Sequence, residues 1–323
     1  MDIWLAAGIA FAVTTAAAPL VRTTLTRHGV VDLPNHRSSH TAPTPRGGGI
    51  ACALGIASGS LFAAISGSRV PWAVVVAALT LALVGFADDQ LTLAVRPRLA
   101  SQAAAGAVLG LILGGMVWAL LGGILMPTVV NVVNFMDGIN GITALSLAVW
   151  AGTAVYVGVA NETPALALVG ALTAGSTIAF LPWNAPRAQM FLGDVGSYLF
   201  GALATGGILV GATSEVPLKL LLAPLALYAA DTGFTLIRRM LRGAPLTAAH
   251  REHIYQTLVH NRGLSHSAVA LIVAGLSIIL TLGYVFLPAT GATIAAITCT
   301  LVYIFLPNAL RFRRSPAPPT SRR

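Results

Sequence analysis

Charge is scarce in this chain. Only 9% of its 323 residues are Asp, Glu, Lys or Arg, where ordinary soluble domains carry about 25%. That shortage excludes a soluble fold with a solvated polar face. It also excludes a nucleic-acid module, despite the net charge of +9, because no solvated basic face exists to meet phosphate. Cysteine is nearly absent as well. Cys52 and Cys299 each lie inside an apolar run, which leaves no disulfide framework and no cysteine metal cluster. No Gly-Lys-Ser/Thr follows a glycine-rich loop, so there is no Walker nucleotide loop. Internal repeats are missing too, and the single low-complexity piece is the C-terminal "RRSPAPPTSRR".

Apolar residues fill the space instead: 56% of the chain is hydrophobic and its mean hydropathy is +0.82. Apolar runs of roughly 17–25 residues, the length that crosses a bilayer as a helix, recur from end to end. The chain therefore reads as an all-α, polytopic membrane protein with about 11 spans: 3–20, 47–66, 71–86, 99–115, 116–133, 141–159, 164–182, 195–212, 217–237, 267–286 and 291–310. Residues 1–310 form one helical domain, and 311–323 form a basic, proline-rich tail expected to be disordered. No basic residue precedes the first span, and Arg22 follows it. This order suits a retained anchor with its N-terminus outside. The layout then places every Lys and Arg except Arg69 and Lys219 on the inner side, as the positive-inside rule requires. All seven histidines fall there too. The chemistry is thus expected on the inner, cytoplasmic face of a plasma membrane, with the C-terminus inside.

Polar side chains interrupt the apolar runs at a few places. "VVNVVNFMDGINGI" sets Asn131, Asn134, Asp137 and Asn140 three apart, so a helix would line up the first three as a polar stripe. Interhelical hydrogen bonding explains one buried asparagine. An aligned set ending in a carboxylate at membrane depth points to function. "GFADDQL" puts Asp88 and Asp89 at an inner helix end, where negative charge is disfavoured and two carboxylates repel unless a cation intervenes. "FLGDVGS" sets Asp194 between Gly193 and Gly196 at a helix entry, either as a cap or as a site open to close ligand approach. Phe191, three residues earlier, reads as an interfacial anchor or a stacking platform. "PTPRGGG" follows Arg46 with three glycines at a helix start, suiting phosphate approach or a flexible turn. "AHREHIYQ" carries His250, Arg251 and His253, which suit an anionic phosphate better than zinc, for which cysteine is lacking. Asp231 in "YAADTGF" lies within the ninth span, an expensive place unless it is paired.

Together these motifs resemble the polyprenyl-phosphate N-acetylhexosamine-1-phosphate transferase family, of glycosyltransferase family 4 type. The resemblance runs from about Asp32 to His266 and rests on "PTPRGGG", "DD", "NxxNFMDGxNG", the asparagine of "PWNAP", "FLGDxGS" and "HxxHxYQ", in that order. "RSSHxxPTPRGGG" and "HREHIYQ" bring it nearest to the branch that starts O-antigen and related surface glycans. The resemblance implies transfer of an amino-sugar-1-phosphate from a UDP-N-acetyl sugar to an undecaprenyl-type polyprenyl phosphate, with UMP released and Mg²⁺, or Mn²⁺, as cofactor. It implies Asp88, Asp89, Asp137, Asp194 and His253 as catalytic groups and Asp89 and Asp194 as metal ligands. Arg46, Arg98, Asn134, Gly138, Asn140, Asn184, Phe191, His250 and Arg251 would contact substrate, with Phe191 stacking on uracil. A homodimer is compatible with it. Thr92 stands where other branches carry a lysine, Asn140 where many carry a second aspartate, and Tyr255 and Gln256 where others carry histidines. These departures bear on sugar specificity. The alternative is a polytopic transporter of a polar or anionic solute, against which stands the absence of an inverted repeat.

Overall fold

The computed structural model describes residues 3–34, 42–245 and 250–310. Helix α1 (Ile3–Arg27) leads into a two-residue antiparallel pair, β1 (Val31–Asp32) with β2 (Thr44–Pro45), in the register Val31–Pro45 and Asp32–Thr44. Seven helices follow: α2 (Gly49–Ile65), α3 (Trp72–Leu91), α4 (Val95–Gly114), α5 (Met116–Met136), α6 (Ile142–Ala160), α7 (Pro164–Asn184) and α8 (Gly193–Thr213). The ninth span is interrupted. It consists of α9 (Leu218–Leu222), a 3₁₀ turn (Ala223–Leu225) and α10 (Ala226–Leu241), and Pro224 in that turn has no N–H with which to continue a helical ladder. A short α11 (Ile254–His260) precedes α12 (His266–Phe286) and α13 (Ala289–Ala309).

All eleven expected spans fall on helix. Among the described residues, nine stretches are long and apolar enough to cross a membrane. The other two places are taken by α2, which has 17 residues, and by α4, whose first turn carries Arg96 and Arg98. This is a multi-pass membrane protein. The basic tail expected at 311–323 and the Arg37–His40 part of the first loop lie outside the described residues.

Large apolar side chains such as Leu120, Ile124, Ile294 and Phe305 face outward on α5 and α13, which suits helices solvated by lipid. Helix α8 is the opposite case, with 94% of its apolar window buried. It forms the axis of the bundle and packs on α2, α3, α5 and α7. Such close packing needs small residues where backbones meet. A Cβ on Gly49 would collide with the Gly196 backbone, and one on Gly85 would collide with the Asp194 carbonyl. The break between the fourth and fifth spans is a single residue, Gly115, whose φ of +85° favours glycine.

The helix ends that carry polar motifs all gather at one end of the bundle. Segments 28–34, 42–48, 92–94, 137–141, 185–192, 242–245 and 250–265 meet there through bonds that link distant parts of the chain, as detailed below.

Candidate active site

The C-terminal turn of α3, the loop before α2 and the first turn of α8 converge on three charged groups. Arg46 Nε lies 2.7 Å from Asp89 Oδ1, and its Nη2 lies 2.7 Å from Asp194 Oδ1. The guanidinium thus bridges two carboxylates that would otherwise repel. Burial works against the Arg46 charge, but Asp194 and Asp89 overcome that effect and raise its pKa. The backbone holds this geometry firmly. Phe191 N–H donates to the Pro45 carbonyl, while the Phe191 carbonyl accepts from Gly47 and Gly48 N–H. The "PTPRGGG" and "FLGD" motifs are in this way locked side by side.

Asp89 and Asp194 do different jobs. Asp89 accepts from the backbone N–H groups of Asp194 and Val195, at 3.0 and 3.1 Å, so it caps α8 from a neighbouring helix and satisfies two of that helix's free donors. Its side chain is 0% exposed. Gly193, at φ +76°, stays clear of it, since a Cβ there would come within 2.6 Å of Asp89 Oδ2. Asp194 keeps 15% exposure, and its bonds to Arg46 and to Asn134 Nδ2 both fall on Oδ1. Among the described residues, Oδ2 takes part in none of these bonds.

Asp88 points into a separate tie. It accepts from Arg98 Nη1, the Tyr198 hydroxyl and Leu93 N–H, each at 2.9 Å, and its side chain is 3% exposed. The two arginines explain how adjacent acids persist at a helix C-terminus, each being neutralised by its own partner. Tyr198 was not evident from sequence. It lies one helical turn past Asp194, the only signal that could have found it.

The polar stripe divides along its length. Asn131 donates to Gln102 Oε1 on α4 and to the Pro127 carbonyl, an interhelical contact away from the charged cluster. Asn134 turns to the cluster, donating to Asp194 Oδ1 and to Ser197 Oγ. Asp137 follows the last turn of α5 and is pushed up to about 7 by burial, then by the charges of Asp194 and Asp89, with Thr143 and Arg46 acting in the opposite direction. Asn140 joins two loops, its N–H meeting His266 Nδ1 and its Nδ2 donating to the Pro186 carbonyl. Asn184 is buried, accepting from Gly141 N–H and donating to the Met190 carbonyl, so it braces the loops around the cleft. Phe191 keeps a partly exposed side chain.

The late loop folds onto the end of α5. Tyr255 donates to the Phe135 carbonyl at 3.0 Å and covers Gly138, where any Cβ would strike its hydroxyl. The His253 ring is stacked between His250 and Tyr255, with centroids 5.0 and 5.6 Å away, and lies 6.3 Å from Phe135. His250 is lowered to about 4 by burial, then by His253 and Arg239. Arg251 is partly buried next to it in the chain. Asp231, awkward inside a span, turns out to be fully paired: it accepts from His253, from two backbone N–H groups and from the Thr235 and Tyr303 hydroxyls. Tyr303 comes from α13, and nothing in the sequence marked it.

A divalent cation suits part of this set. Mg²⁺ binds through one or two carboxylates together with substrate phosphates. Asp194 and Asp137, which sense each other's charge, offer hard oxygens beside Asn134. Asp89, expected as a ligand, is instead engaged by the α8 N-terminus and Arg46. Among the described residues, no three His, Cys, Asp or Glu form a complete metal cage, so substrate oxygens would have to finish the coordination.

This helical membrane bundle brings carboxylates, arginines and amides together at one end of its spans. A family model described as glycosyl transferase family 4 matches residues 71–212, which includes the acid pair, the stripe and Asp194. The chain is 25% identical over 309 residues to a probable undecaprenyl-phosphate N-acetylglucosaminyl 1-phosphate transferase of Bacillus subtilis, covering 89% of this chain and 86% of that one. It is 29% identical over 317 residues to a decaprenyl-phosphate N-acetylglucosaminephosphotransferase of Mycolicibacterium smegmatis, covering 81% and 76%. Over 207 residues it is 31% identical to a phospho-N-acetylmuramoyl-pentapeptide-transferase of Symbiobacterium thermophilum, covering 54% and 62%. Along most of its length the chain is thus similar to polyprenyl-phosphate N-acetylglucosamine-phosphate transferases.

Proposed function

We propose that this protein transfers an N-acetylhexosamine-1-phosphate, or a derived amino-sugar-1-phosphate, from a UDP-sugar to a polyprenyl phosphate, releasing UMP. The observation that carries this reading is the Asp194–Arg46–Asp89 bridge at the glycine-lined entry of α8, in a chain similar to such transferases. Bond changes balance simply. An oxygen of the lipid phosphate attacks the β-phosphorus of the donor, and the bond from that phosphorus to the oxygen retained by UMP breaks. A phosphate monoester has its second pKa near ~6, so the attacking phosphate is largely dianionic at neutral pH and needs little help from a base.

Repulsion between two anions is the main obstacle. Mg²⁺, when bound, would neutralise phosphate oxygens and stabilise the leaving UMP. Arg46 supplies fixed positive charge beside Asp194, and Asn134 holds Asp194 in register. His253, held by Asp231, is assigned to a substrate phosphate. Asp88, tied to Arg98 and Tyr198, acts as a structural and electrostatic anchor more than as a base. The transporter alternative gains nothing from the structure, because the linked polar side chains gather at one end of the bundle.

Labelled UDP-N-acetylglucosamine, a polyprenyl phosphate and Mg²⁺ should yield lipid-extractable label with the purified protein. Failure of every UDP-N-acetyl sugar tried to give Mg²⁺-dependent product would overturn the reading. A role in starting a surface glycan of the O-antigen type extends the same proposal.

Phe191 is assigned to the uracil. Phe191→Ala should raise KM for the UDP-sugar through loss of stacking worth roughly 1–3 kcal/mol and leave KM for the lipid nearly unchanged. A shift confined to the lipid KM would reject the assignment.

The cleft is assigned to the cytoplasmic side. Reporter fusions should then place Met1 outside and Arg323 inside, and both termini on one side would show that the number of crossings is even.

A further inference from the structure

The buried carboxylate of α10 lies outside the reaction just described, yet it accepts five hydrogen bonds from the described residues. Asp231 is 0% exposed. Its Oδ1 meets His253 Nδ1 at 2.9 Å, Ile254 N–H at 3.0 Å and the Thr235 hydroxyl at 3.3 Å. Its Oδ2 takes Tyr255 N–H at 3.1 Å and the Tyr303 hydroxyl at 2.7 Å. Three parts of the chain thus converge on one side chain: α10 provides the acid, the start of α11 provides His253 and two backbone donors, and α13 provides the tyrosine.

A charge cap alone does not require all of these bonds. Asp231 already meets two of the free N–H groups of the α11 N-terminus, those of Ile254 and Tyr255. The extra bond to His253 has a chemical consequence. A ring nitrogen 2.9 Å from a carboxylate oxygen carries the proton, and the opposite nitrogen is then the acceptor of the ring. Stacking between His250 and Tyr255 fixes the ring plane, so tautomer and orientation are both set. The Tyr303 hydroxyl, completely buried, saturates Oδ2 and keeps the carboxylate from rotating away.

We infer that Asp231 and Tyr303 are positioning residues that hold His253 as its Nδ1–H tautomer, making α13 a working part of the active site. The inference rests on the proposed transferase reading, because His253 matters only if it meets the donor or acceptor phosphate. Outer partners of a functional histidine typically contribute roughly 10–100-fold to activity. Tyr303→Phe removes one hydroxyl from a buried ring and preserves its packing, so it isolates the effect.

The test is a double-substitution cycle in the full-length protein, with the UDP-sugar and polyprenyl-phosphate assay. Tyr303→Phe alone should lower kcat by about tenfold with KM for both substrates nearly unchanged. In a His253→Ala background the same change should cost almost nothing, since the residue it acts through is gone. Histidine-selective ¹⁵N spectra supply a readout independent of turnover. The His253 signals, assigned by their loss in His253→Ala, should report Nδ1–H in the parent and an altered tautomer balance in Asp231→Asn. Equal losses from Tyr303→Phe in both backgrounds, or a His253 spectrum unmoved by Asp231→Asn, would overturn the inference. An inactive parent with every donor tried would instead count against the transferase reading. If Asp231→Asn fails to fold, the Tyr303→Phe cycle still decides.

Discussion

Asp194→Asn is expected to lower turnover by on the order of 10²–10³-fold, the usual cost of losing one charge-stabilising partner at such a centre. The substitution keeps size and shape. An amide at this position can still meet Asn134 through its oxygen, and Ser197 continues to hold Asn134 at 3.0 Å. The negative charge is what disappears, and with it one of the two hard carboxylate oxygens. If Asp194 binds Mg²⁺, the defect is one of occupancy, so raising Mg²⁺ should restore part of the rate. Thr213→Ala, at the far end of the same helix and bonded only to carbonyls of its own turn, is the control and should matter little. A folded Asp194→Asn protein with near-normal Mg²⁺-dependent turnover would remove the metal assignment.

Gly85→Ala should be comparably damaging although it touches no charge. A Cβ there would fall well inside contact distance of the Asp194 carbonyl and 2.7 Å from Val195 N, both backbone atoms that cannot rotate aside. Either α3 and α8 separate or the first turn of α8 shifts. The first outcome costs about 1–3 kcal/mol of packing. The second moves Asp194 relative to Arg46 and Asn134, and a displacement near 1 Å at a reacting centre costs about 10²-fold. Turnover should fall by at least that factor. Gly152→Ala is the matched control, since its Cβ would enter open space, and a helical Ala should be stabilising there by up to about 1 kcal/mol. Unimpaired turnover in Gly85→Ala would show that the α3–α8 contact does not set the site.

Much of the site could be read from the chain before folding. Six motifs in order named the cluster, and the positive-inside count put them on one face. Arg46, Asp89, Asn134 and Asp194 proved to be neighbours. The division of labour among them was not legible. Asp88 and Asp89 are adjacent in sequence, but a helix turns successive side chains about 100° apart, so one reaches Arg98 and Tyr198 while the other caps α8. Asn131 and Asn134 lie on one helical face, yet α4 approaches the first and α8 the second. The aligned stripe is therefore divided, Asn134 meeting the charged cluster and Asn131 an interhelical contact.

The sequence by itself determined the membrane character, the span order and the chemistry available. Those depend on local quantities: apolar run length, the side of each charge and the residue types in each motif. Only the tertiary structure decided what each polar group does. Asp231 is the plainest instance. In sequence it is a costly acid within a span, and only one of its partners, Thr235, is a near neighbour. Others come from 22 residues away at His253 and 72 residues away at Tyr303. In a medium that supplies no water, a buried carboxylate is stabilised only by donors that packing brings to it, and those donors are set by helix contacts that no local pattern encodes.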